Sequence, residues 1–307
     1  MSDLNIFKTP AQKEYALLDS GDGMKLERYG SVTLSRPDPQ ALWRKRLSEK
    51  EWGSADASFV RDRTNRDEER GTWVYTRKGI EDGWKISFAD LIFNIKPTPF
   101  KHTGIFPEQF VNWKWSTDIV VDELKKNPQR KIKVLNLFGY TGGATVAMLK
   151  AGAEVTHVDA SKSALTWANL NAESTGVKDL PVRWILDDAY GFVKREIRRG
   201  NTYDAIIMDP PAFGRGAKGE VWRIEESFLP FFEDVLKLLS DNPLFVILNG
   251  YAAGYSPVAY DNNMQVLVQK YGGELSSGEL GVEEEKRPGV PQRILPCGIV
   301  SRWRKTA

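Results

Sequence analysis

Three aspartates in the second half of the chain each follow a short apolar run. These are Asp159, Asp188 and Asp209. A carboxylate in such a position can accept hydrogen bonds from sugar hydroxyls, from the amino group of a base, or from an amino group that is to be modified. Three aspartates at successive predicted strand ends are hard to explain as exposed charges without a function. This spacing therefore predicts a ligand-binding site at one edge of a sheet.

A glycine-rich turn precedes the aspartates, and it leads from an apolar run into a helical one. Gly139 permits close approach of the backbone to a ligand, and the following helix N-terminus offers free N–H groups and partial positive charge. A plain strand-to-helix turn could have the same composition. Asp159 makes the signal more specific, because it follows Gly139 by 20 residues and a carboxylate there can bind both hydroxyls of a ribose. Together these features indicate an adenosine cofactor.

The identity of the adenosine cofactor follows from the details of the turn. NAD requires the pattern G-x-G-x-x-G, but Thr141 stands in the place of the second glycine, and no G-K-[ST] follows that would form a P-loop. S-adenosylmethionine (SAM) carries no phosphate and suits this looser turn. Asp188 would then accept from the adenine amino group, or it could instead cap the helix that begins near Ala189.

The predicted SAM-binding residues in this half of the chain are Phe138, Gly139, Tyr140, Thr141, Gly142, Asp159, Ala160, Ser161, Asp188 and Ala189.

A second constellation, Asp209-Pro210-Pro211-Ala212-Phe213, could carry the chemistry. The two prolines fix the backbone, so the preceding carbonyl groups point in set directions. An amino group could donate to the Asp209 side chain and the Pro210 carbonyl, while Phe213 stacks on a planar base. Methyl transfer from an activated sulfonium needs positioning more than acid–base catalysis. We therefore predict Asp209, Pro210 and Phe213 as catalytic, with a purely structural proline turn as the alternative.

The elements that must position these residues alternate between strand and helix after residue 100. Short apolar segments such as Lys133–Leu137, Val182–Leu186 and Ala205–Met208 are typical of buried strands, and helical segments lie between them. This alternation predicts an α/β fold, a Rossmann-like parallel sheet with helices on both faces and ligands at its carboxyl edge. A closing hairpin of Glu274–Glu279 and Ile299–Trp303 would complete seven strands.

The first hundred residues have a different pattern. Thr72–Arg77, Lys85–Phe88 and Leu91–Ile95 predict strands, the first two of them as a hairpin, and Pro39–Lys50 could form an amphipathic helix. We expect a β-rich domain over residues 1–100 that helps to dock the substrate, and a catalytic domain over residues 101–307.

Composition narrows the class of protein further. The 307 residues carry a formal net charge of +2, which does not by itself indicate a polyanion-binding protein. The single cysteine, Cys297, cannot form an internal disulfide or a thiolate metal cluster. The chain begins without a basic segment followed by an apolar one, and no run approaches the roughly 18 apolar residues of a membrane span. We expect a cytoplasmic protein without a metal or a membrane partner.

These motifs resemble the class I SAM-dependent methyltransferases. More narrowly, they are similar to the bacterial enzymes that methylate cytosine C5 or guanine N7 in large-subunit ribosomal RNA. That group has the pattern D-P-P-x-F and an entry segment T-G-x-x-x-x-Q, matched here by Thr103, Gly104 and Gln109. The resemblance covers residues 85–307. It implies SAM as cofactor, bound additionally by Thr103, Phe106 and Gln109, and RNA as substrate and partner.

The chain departs from that group in two respects. We expect no room for the additional N-terminal RNA-binding PUA domain of the cytosine-C5 enzymes. Those enzymes also keep a nucleophilic cysteine just after the fifth strand, where this chain has Asn249-Gly250-Tyr251. The sequence therefore favours methylation of a base nitrogen. A protein or small-molecule substrate and a SAM-binding module without catalysis are the alternatives.

Overall fold

The computed structural model describes residues 5–62, 70–215, 221–251 and 254–306. Within these ranges the strands are β1 Asn5–Thr9, β2 Tyr15–Gly21, β3 Met24–Tyr29, β4 Val32–Pro37, β5 Ala57–Arg61, β6 Gly71–Tyr75, β7 Trp84–Phe88, β8 Leu91–Ile95, β9 Lys133–Leu137, β10 Glu154–Asp159, β11 Val182–Leu186, β12 Ala205–Met208, β13 Phe213–Arg215, β14 Val221–Arg223, β15 Phe245–Gly250, β16 Glu274–Glu283 and β17 Ile294–Arg304. The helices are α1 Glu49–Gly53, α2 Phe110–Lys126, α3 Gly143–Lys150, α4 Lys162–Thr175, α5 Ala189–Arg199, α6 Ile224–Leu236 and α7 Pro257–Tyr271.

The chain forms two compact units, each built from more than one stretch of sequence. The large unit contains the residues up to Phe7, Val111–Leu280 and the residues from Gly298 onward. The small unit contains Lys8–Phe110 and Gly281–Cys297. The division of the chain into domains at residue 100 stays a prediction.

The main sheet has the order β1-β16-β17-β15-β12-β9-β10-β11. β15, β12, β9, β10 and β11 run parallel, and β17 runs antiparallel to β15. Among the parallel strands, the chain starts at β9 in the centre, builds outward to β11, and then crosses β9 to build outward in the other direction through β12 and β15. The Rossmann-like α/β class is confirmed. The described sheet has eight strands and not seven, because Asn5–Thr9 adds an edge strand that its mixed composition did not indicate.

Burial on both faces explains why the central segments form strands. All four residues of β12 and all six of β15 are buried, as expected for parallel strands covered by helices. The core against one face contains Phe192, Phe231 and Trp303, all at most 2% exposed. The predicted bounds of β9, β11 and β12 are confirmed, since each is a short run with no competing helical period.

The glycine turn after β9 is shaped by a histidine beneath it. A Cβ on Gly139 would lie 2.4 Å from Cε1 of His157, so no side chain fits there unless the ring moves. His157 is fully buried, and its Nδ1 atom lies 2.9 Å from Oγ1 of Thr145, which also accepts from the Asn136 amide. Burial lowers the pKa of His157 to about 3, so the ring is neutral. Packing therefore requires glycine here, whereas the sequence suggested only approach to a ligand.

The small unit contains a five-stranded sheet, β2-β3-β4-β5-β6, and a separate two-stranded sheet, β7-β8. The predicted hairpin of the segments now seen as β6 and β7 is wrong, because β6 pairs with β5 and β7 pairs with β8. The true hairpin turns at Ala89 and Asp90, both with positive φ, as a two-residue turn between twisted strands requires.

The predicted helix over Pro39–Lys50 is also wrong, since α1 begins only at Glu49. Carboxylates of the neighbouring strand bind the backbone N–H groups of this segment. Asp19 accepts from the N–H groups of Arg46 and Leu47, at 3.0 and 2.9 Å. Ser48 then starts the helix through a capping box with Glu51.

An ion pair lies in the core of the small unit. Glu27 and Arg36 are 1% and 5% exposed, and Nε of Arg36 donates to Glu27 at 2.6 Å. Tyr15 and Tyr29 donate to the same carboxylate at 2.9 and 3.0 Å. Burial alone would raise the pKa of Glu27, but Arg36, Lys25 and these hydrogen bonds lower it to about 2.

No helix in the described ranges is both long enough and apolar enough to span a membrane. The same residues contain no cluster of three or more His, Cys, Asp or Glu side chains that could bind a metal.

Glu27→Gln is expected to lower the free energy of unfolding by about 3–5 kcal/mol, because it leaves Arg36 buried without a counter-charge. The folded-state pKa of Glu27 lies below its ordinary 4.5. Its contribution is therefore complete above that pH and is lost as the pH falls from 4.5 towards 2. Urea unfolding at several pH values measures both effects. Asp118→Asn removes an exposed ion pair and should cost under about 0.5 kcal/mol; equal costs for the two variants would contradict this account.

Gly139→Ala is expected to destabilise the protein by about 1–3 kcal/mol, because the new methyl group overlaps the His157 ring. In Gly139→Ala/His157→Ala the overlap is gone, so the double variant should cost clearly less than the sum of the two single changes. Urea unfolding of all three variants gives this difference. Gly53→Ala is the control, since nothing lies within 4 Å of its Cβ position. Strictly additive costs would show that the ring does not select glycine.

Candidate active site

Predicted site residues of the large unit meet at the carboxyl edge of the parallel strands. The turn 138–142 follows β9, Asp159 ends β10, Asp188 follows β11 and Asp209 follows β12. The strand order reverses between β9 and β12, and a crevice at such a switch point is where α/β sheets bind ligands.

The turn after β9 has a strained backbone. Phe138 and Tyr140 have φ values of 58° and 49°, in the left-handed region that residues other than glycine rarely adopt. Gly142 has φ 80° and forms the N-cap of α3. The turn is closed by two backbone bonds, Gly139 N–H to Val158 O and Gly142 N–H to Gly139 O. Such strain persists only where surrounding structure enforces it, and it is common at binding sites.

Asp159 provides that enforcement. One carboxylate oxygen accepts from Tyr140 N–H and the other from Ser161 N–H, both at 2.8 Å. Burial raises the pKa of Asp159, while these two backbone bonds lower it and oppose that effect. An ionised carboxylate has about four lone-pair sites, so each oxygen retains acceptor capacity for a further donor such as a ribose hydroxyl.

Asp188 has the alternative role that the sequence left open. Its Oδ2 atom accepts from Gly191 N–H at 2.7 Å and caps α5. Ala189, the first residue of that helix, is 5% exposed and packs in the core, whereas Ala160 is exposed. Ser161 caps α4 by accepting from Ala164 N–H.

Thr141 is only 3% exposed, and its carbonyl accepts from the Asn171 amide at 2.8 Å. It therefore anchors the turn on α4. This structural role accounts for the residue that stands in place of a second glycine.

β13 and β14 form a short antiparallel pair after the end of β12. Trp222 of β14 donates from Nε1 to the Pro211 carbonyl at 2.6 Å. Its ring packs against Phe138 at 5.6 Å and Phe231 at 5.2 Å, so it joins the two predicted motifs. Pro210 is buried, and Phe213 is 54% exposed. Trp222 was not among the predicted site residues; an aromatic residue eleven positions after Pro211, in a mainly polar stretch, was the available signal.

β15 also ends in ordered polar groups. The Asn112 amide donates to Oδ1 of Asn249 at 2.9 Å, and both residues are 2% exposed. The hydroxyl of Tyr260 lies directly against Gly250 at the end of β15. Neither Asn249 nor Tyr260 was among the predicted site residues.

The entry-segment residues belong to the small unit. Thr103 is fully buried and donates to the Tyr29 hydroxyl at 3.4 Å. Phe106 precedes a short 3₁₀ turn, and its ring lies 5.4 Å from that of His102. Gln109 ends that turn and is 8% exposed.

Cys297 also lies in the small unit. Its Sγ atom lies 3.3 Å from the Leu295 carbonyl. Burial, followed by the negative charge of Glu108, raises the pKa of this thiol. Such a thiol stays protonated at neutral pH and is a poor nucleophile.

Comparison with known proteins gives matches of several kinds. Residues 131–241 match the family described as RNA cap guanine-N2 methyltransferase. The ribosomal RNA large subunit methyltransferase K of Neisseria meningitidis is 24% identical over 296 residues, 92% of this chain and 74% of that protein. The ribosomal RNA large subunit methyltransferase I of Aeromonas salmonicida is 40% identical over 82 residues, 26% of this chain and 21% of that protein.

A solved structure is similar over nearly the whole length. The SAM-dependent methyltransferase from Agrobacterium tumefaciens is 39% identical, with 98% of this chain and 94% of that chain covered and a TM-score of 0.90. The donor set at the strand ends fits this cofactor, because it offers Asp159 for a ribose and a turn without a pyrophosphate cradle. The chain belongs to the class I SAM-dependent methyltransferases, and SAM is its cofactor.

Proposed function

We propose that this methyltransferase modifies a base nitrogen of ribosomal RNA. The observation that carries the proposal is Asp209-Pro210 at the end of β12, next to the strained turn after β9. Two relatives are named as ribosomal RNA methyltransferases, and the matched family is described by guanine N2, an exocyclic nitrogen.

The arrangement of the strand ends supports a set of proposed cofactor contacts. Asp159 binds the ribose hydroxyls through the lone pairs that its two backbone bonds leave. Asp188 accepts from the adenine amino group through Oδ1, since Oδ2 caps α5. In this proposal Ala160 and Ala189, the first residues after Asp159 and Asp188, flank the adenine, and the turn 138–142 together with Ser161 completes the pocket. Thr103, Phe106 and Gln109 contribute as the family resemblance implies.

SAM supplies an activated methyl group, so the protein's task is to hold the acceptor in line with it. In this proposal, the acceptor amino group donates to the Asp209 carboxylate and the Pro210 carbonyl. These bonds orient the nitrogen lone pair towards the methyl group. Pro210 is fixed by its ring, and Trp222 holds the next carbonyl. The exposed Phe213 ring stacks on the base.

A nitrogen acceptor agrees with the state of the single cysteine. Methylation of cytosine C5 requires a thiolate that first adds to the ring, since that carbon is a poor nucleophile. The raised pKa of Cys297 disfavours a thiolate. A base nitrogen has, or can be given, a lone pair for direct attack.

We also propose that the small unit helps to dock the RNA, in the cytoplasm where ribosomal RNA is found. A net charge of only +2 implies that phosphate contacts would come from local groups of lysine and arginine, such as Arg44–Arg46. Binding that uses such contacts weakens as salt rises, because phosphates regain their counterions.

Asp159→Ala is expected to weaken SAM binding by about 1.5–3 kcal/mol, because ribose hydroxyls lose a charged partner. Calorimetry with SAM and with S-adenosylhomocysteine measures the change, and NADH should give no heat. Asp118→Asn, an exposed change on α2, should bind like the wild type. The change also removes the partner of the Tyr140 and Ser161 N–H groups, so thermal unfolding of each variant is recorded in parallel. Unchanged affinity in a folded Asp159→Ala protein would contradict the assignment.

With labelled SAM, total RNA is expected to take up label, while protein extract and metabolites are not. Asp209→Ala should lower the rate on the order of 100-fold with little change in SAM affinity, because it removes a group that orients the acceptor. Cys297→Ser is the matched control and should stay active. Nucleoside analysis of the product should place the methyl group on nitrogen.

Label in protein or metabolites instead of RNA would replace the proposed substrate class. An inactive Cys297→Ser variant, together with a trapped adduct on 5-fluorocytosine RNA, would establish carbon chemistry in place of nitrogen chemistry.

A further inference from the structure

Tyr260 carries a buried hydroxyl at the end of β15. The residue is 3% exposed, and its hydroxyl has no hydrogen-bond partner within the described part of the chain. A buried polar atom without a partner costs folding free energy, and phenylalanine would avoid this cost at the same position. A functional role of the hydroxyl would explain why tyrosine and not phenylalanine stands here.

The packing of the ring fixes the direction of this hydroxyl. Tyr260 lies in the first turn of α7, and its ring stacks on Phe228 with the centroids 5.9 Å apart and the planes 10° apart. Phe228 in turn stacks on Phe232 at 5.5 Å. A Cβ on Gly250 would lie only 2.4 Å from the Tyr260 oxygen, so the hydroxyl is held over the end of β15.

This position lies beside the proposed acceptor site. Met208 pairs with Leu248, so Asp209 and Pro210 follow on β12 where Asn249 and Gly250 stand on β15. Burial first, then the negative charge of Asp209 and a smaller effect of Tyr255, raise the pKa of Tyr260 to about 12. The hydroxyl thus keeps its proton at neutral pH and can act as a donor beside the end of β12.

We propose that Tyr260 is a positioning residue, whose hydroxyl donates a hydrogen bond to the Asp209 carboxylate while the acceptor is bound. One carboxylate oxygen then receives the acceptor amino group and the other receives Tyr260, which fixes the plane of the carboxylate. The inference rests on the proposed role of Asp209. It does not depend on whether the acceptor is RNA.

The test is Tyr260→Phe, which retains the ring and removes only the hydroxyl. We expect kcat to fall about 10- to 100-fold, as for a lost hydrogen bond to a charged group, while KM and SAM affinity stay within about twofold. The melting temperature should rise or stay unchanged, because an unpaired buried hydroxyl is removed. A donor to a carboxylate favours its charged form, so the acidic limb of the kcat profile, which reports the bound complex, should move to higher pH. Tyr271→Phe, at the other end of α7, should change neither rate nor pH profile.

The comparison of variant with wild type is made on whichever fraction accepts label. The proposal that RNA is the acceptor can therefore be wrong while the inference about Tyr260 holds. Equally, the inference about Tyr260 can be wrong while RNA is the acceptor. A rate within about twofold of wild type, with an unchanged pH profile, would show that Tyr260 only fills space. A lower melting temperature with an equal loss of SAM binding would show a structural role and would also overturn the inference.

Discussion

The Asp159 carboxylate is the contact on which the candidate site depends. It binds the N–H of Tyr140 in the first strand-to-helix turn and the N–H of Ser161 in the second, so one side chain fixes two loops. Burial of the charge is unfavourable, as the raised pKa shows, and the two backbone donors offset part of that cost. The geometry is therefore set before a ligand arrives, which reduces the ordering cost of binding.

The sheet beneath this contact leaves little freedom of sequence. Gly139 is confined by His157, and Gly143 is confined by Trp113, whose ring atom would lie 2.3 Å from a Cβ. Thr145 connects His157 to Asn136 by hydrogen bonds, so β9, β10 and α3 share one small polar cluster inside an apolar core. The glycine-rich composition of the turn thus reflects packing as much as ligand binding.

The sequence predicted the large unit well because its signals are local. β9, β11 and β12 are short apolar runs, and an aspartate ends β10 and follows β11 and β12. The small unit was predicted less well, because its structure depends on distant partners. Asp19 binds the backbone N–H of Arg46, 27 residues later, where the sequence predicted a helix. β6 pairs with β5, a strand that the sequence did not indicate. Trp222 and Tyr260 were missed for the same reason, since only the folded chain brings them to Pro211 and Gly250.

Three kinds of unfavourable local feature occur at the edge where ligands are proposed to bind. Phe138 and Tyr140 have left-handed backbone, Asp159 is a partly buried charge, and Tyr260 is an unpaired hydroxyl. The strained backbone and the unpaired hydroxyl lower the stability of the free protein, and the two backbone donors offset only part of the cost of burying the Asp159 charge. In proteins whose other local features favour the fold, such unfavourable features are typical of functional sites. Their cost in folding free energy is offset only when substrate is bound. These features lie beside the turn after β9, the end of β10 and the end of β15, so the proposed cofactor and acceptor would bind along one continuous edge of the sheet.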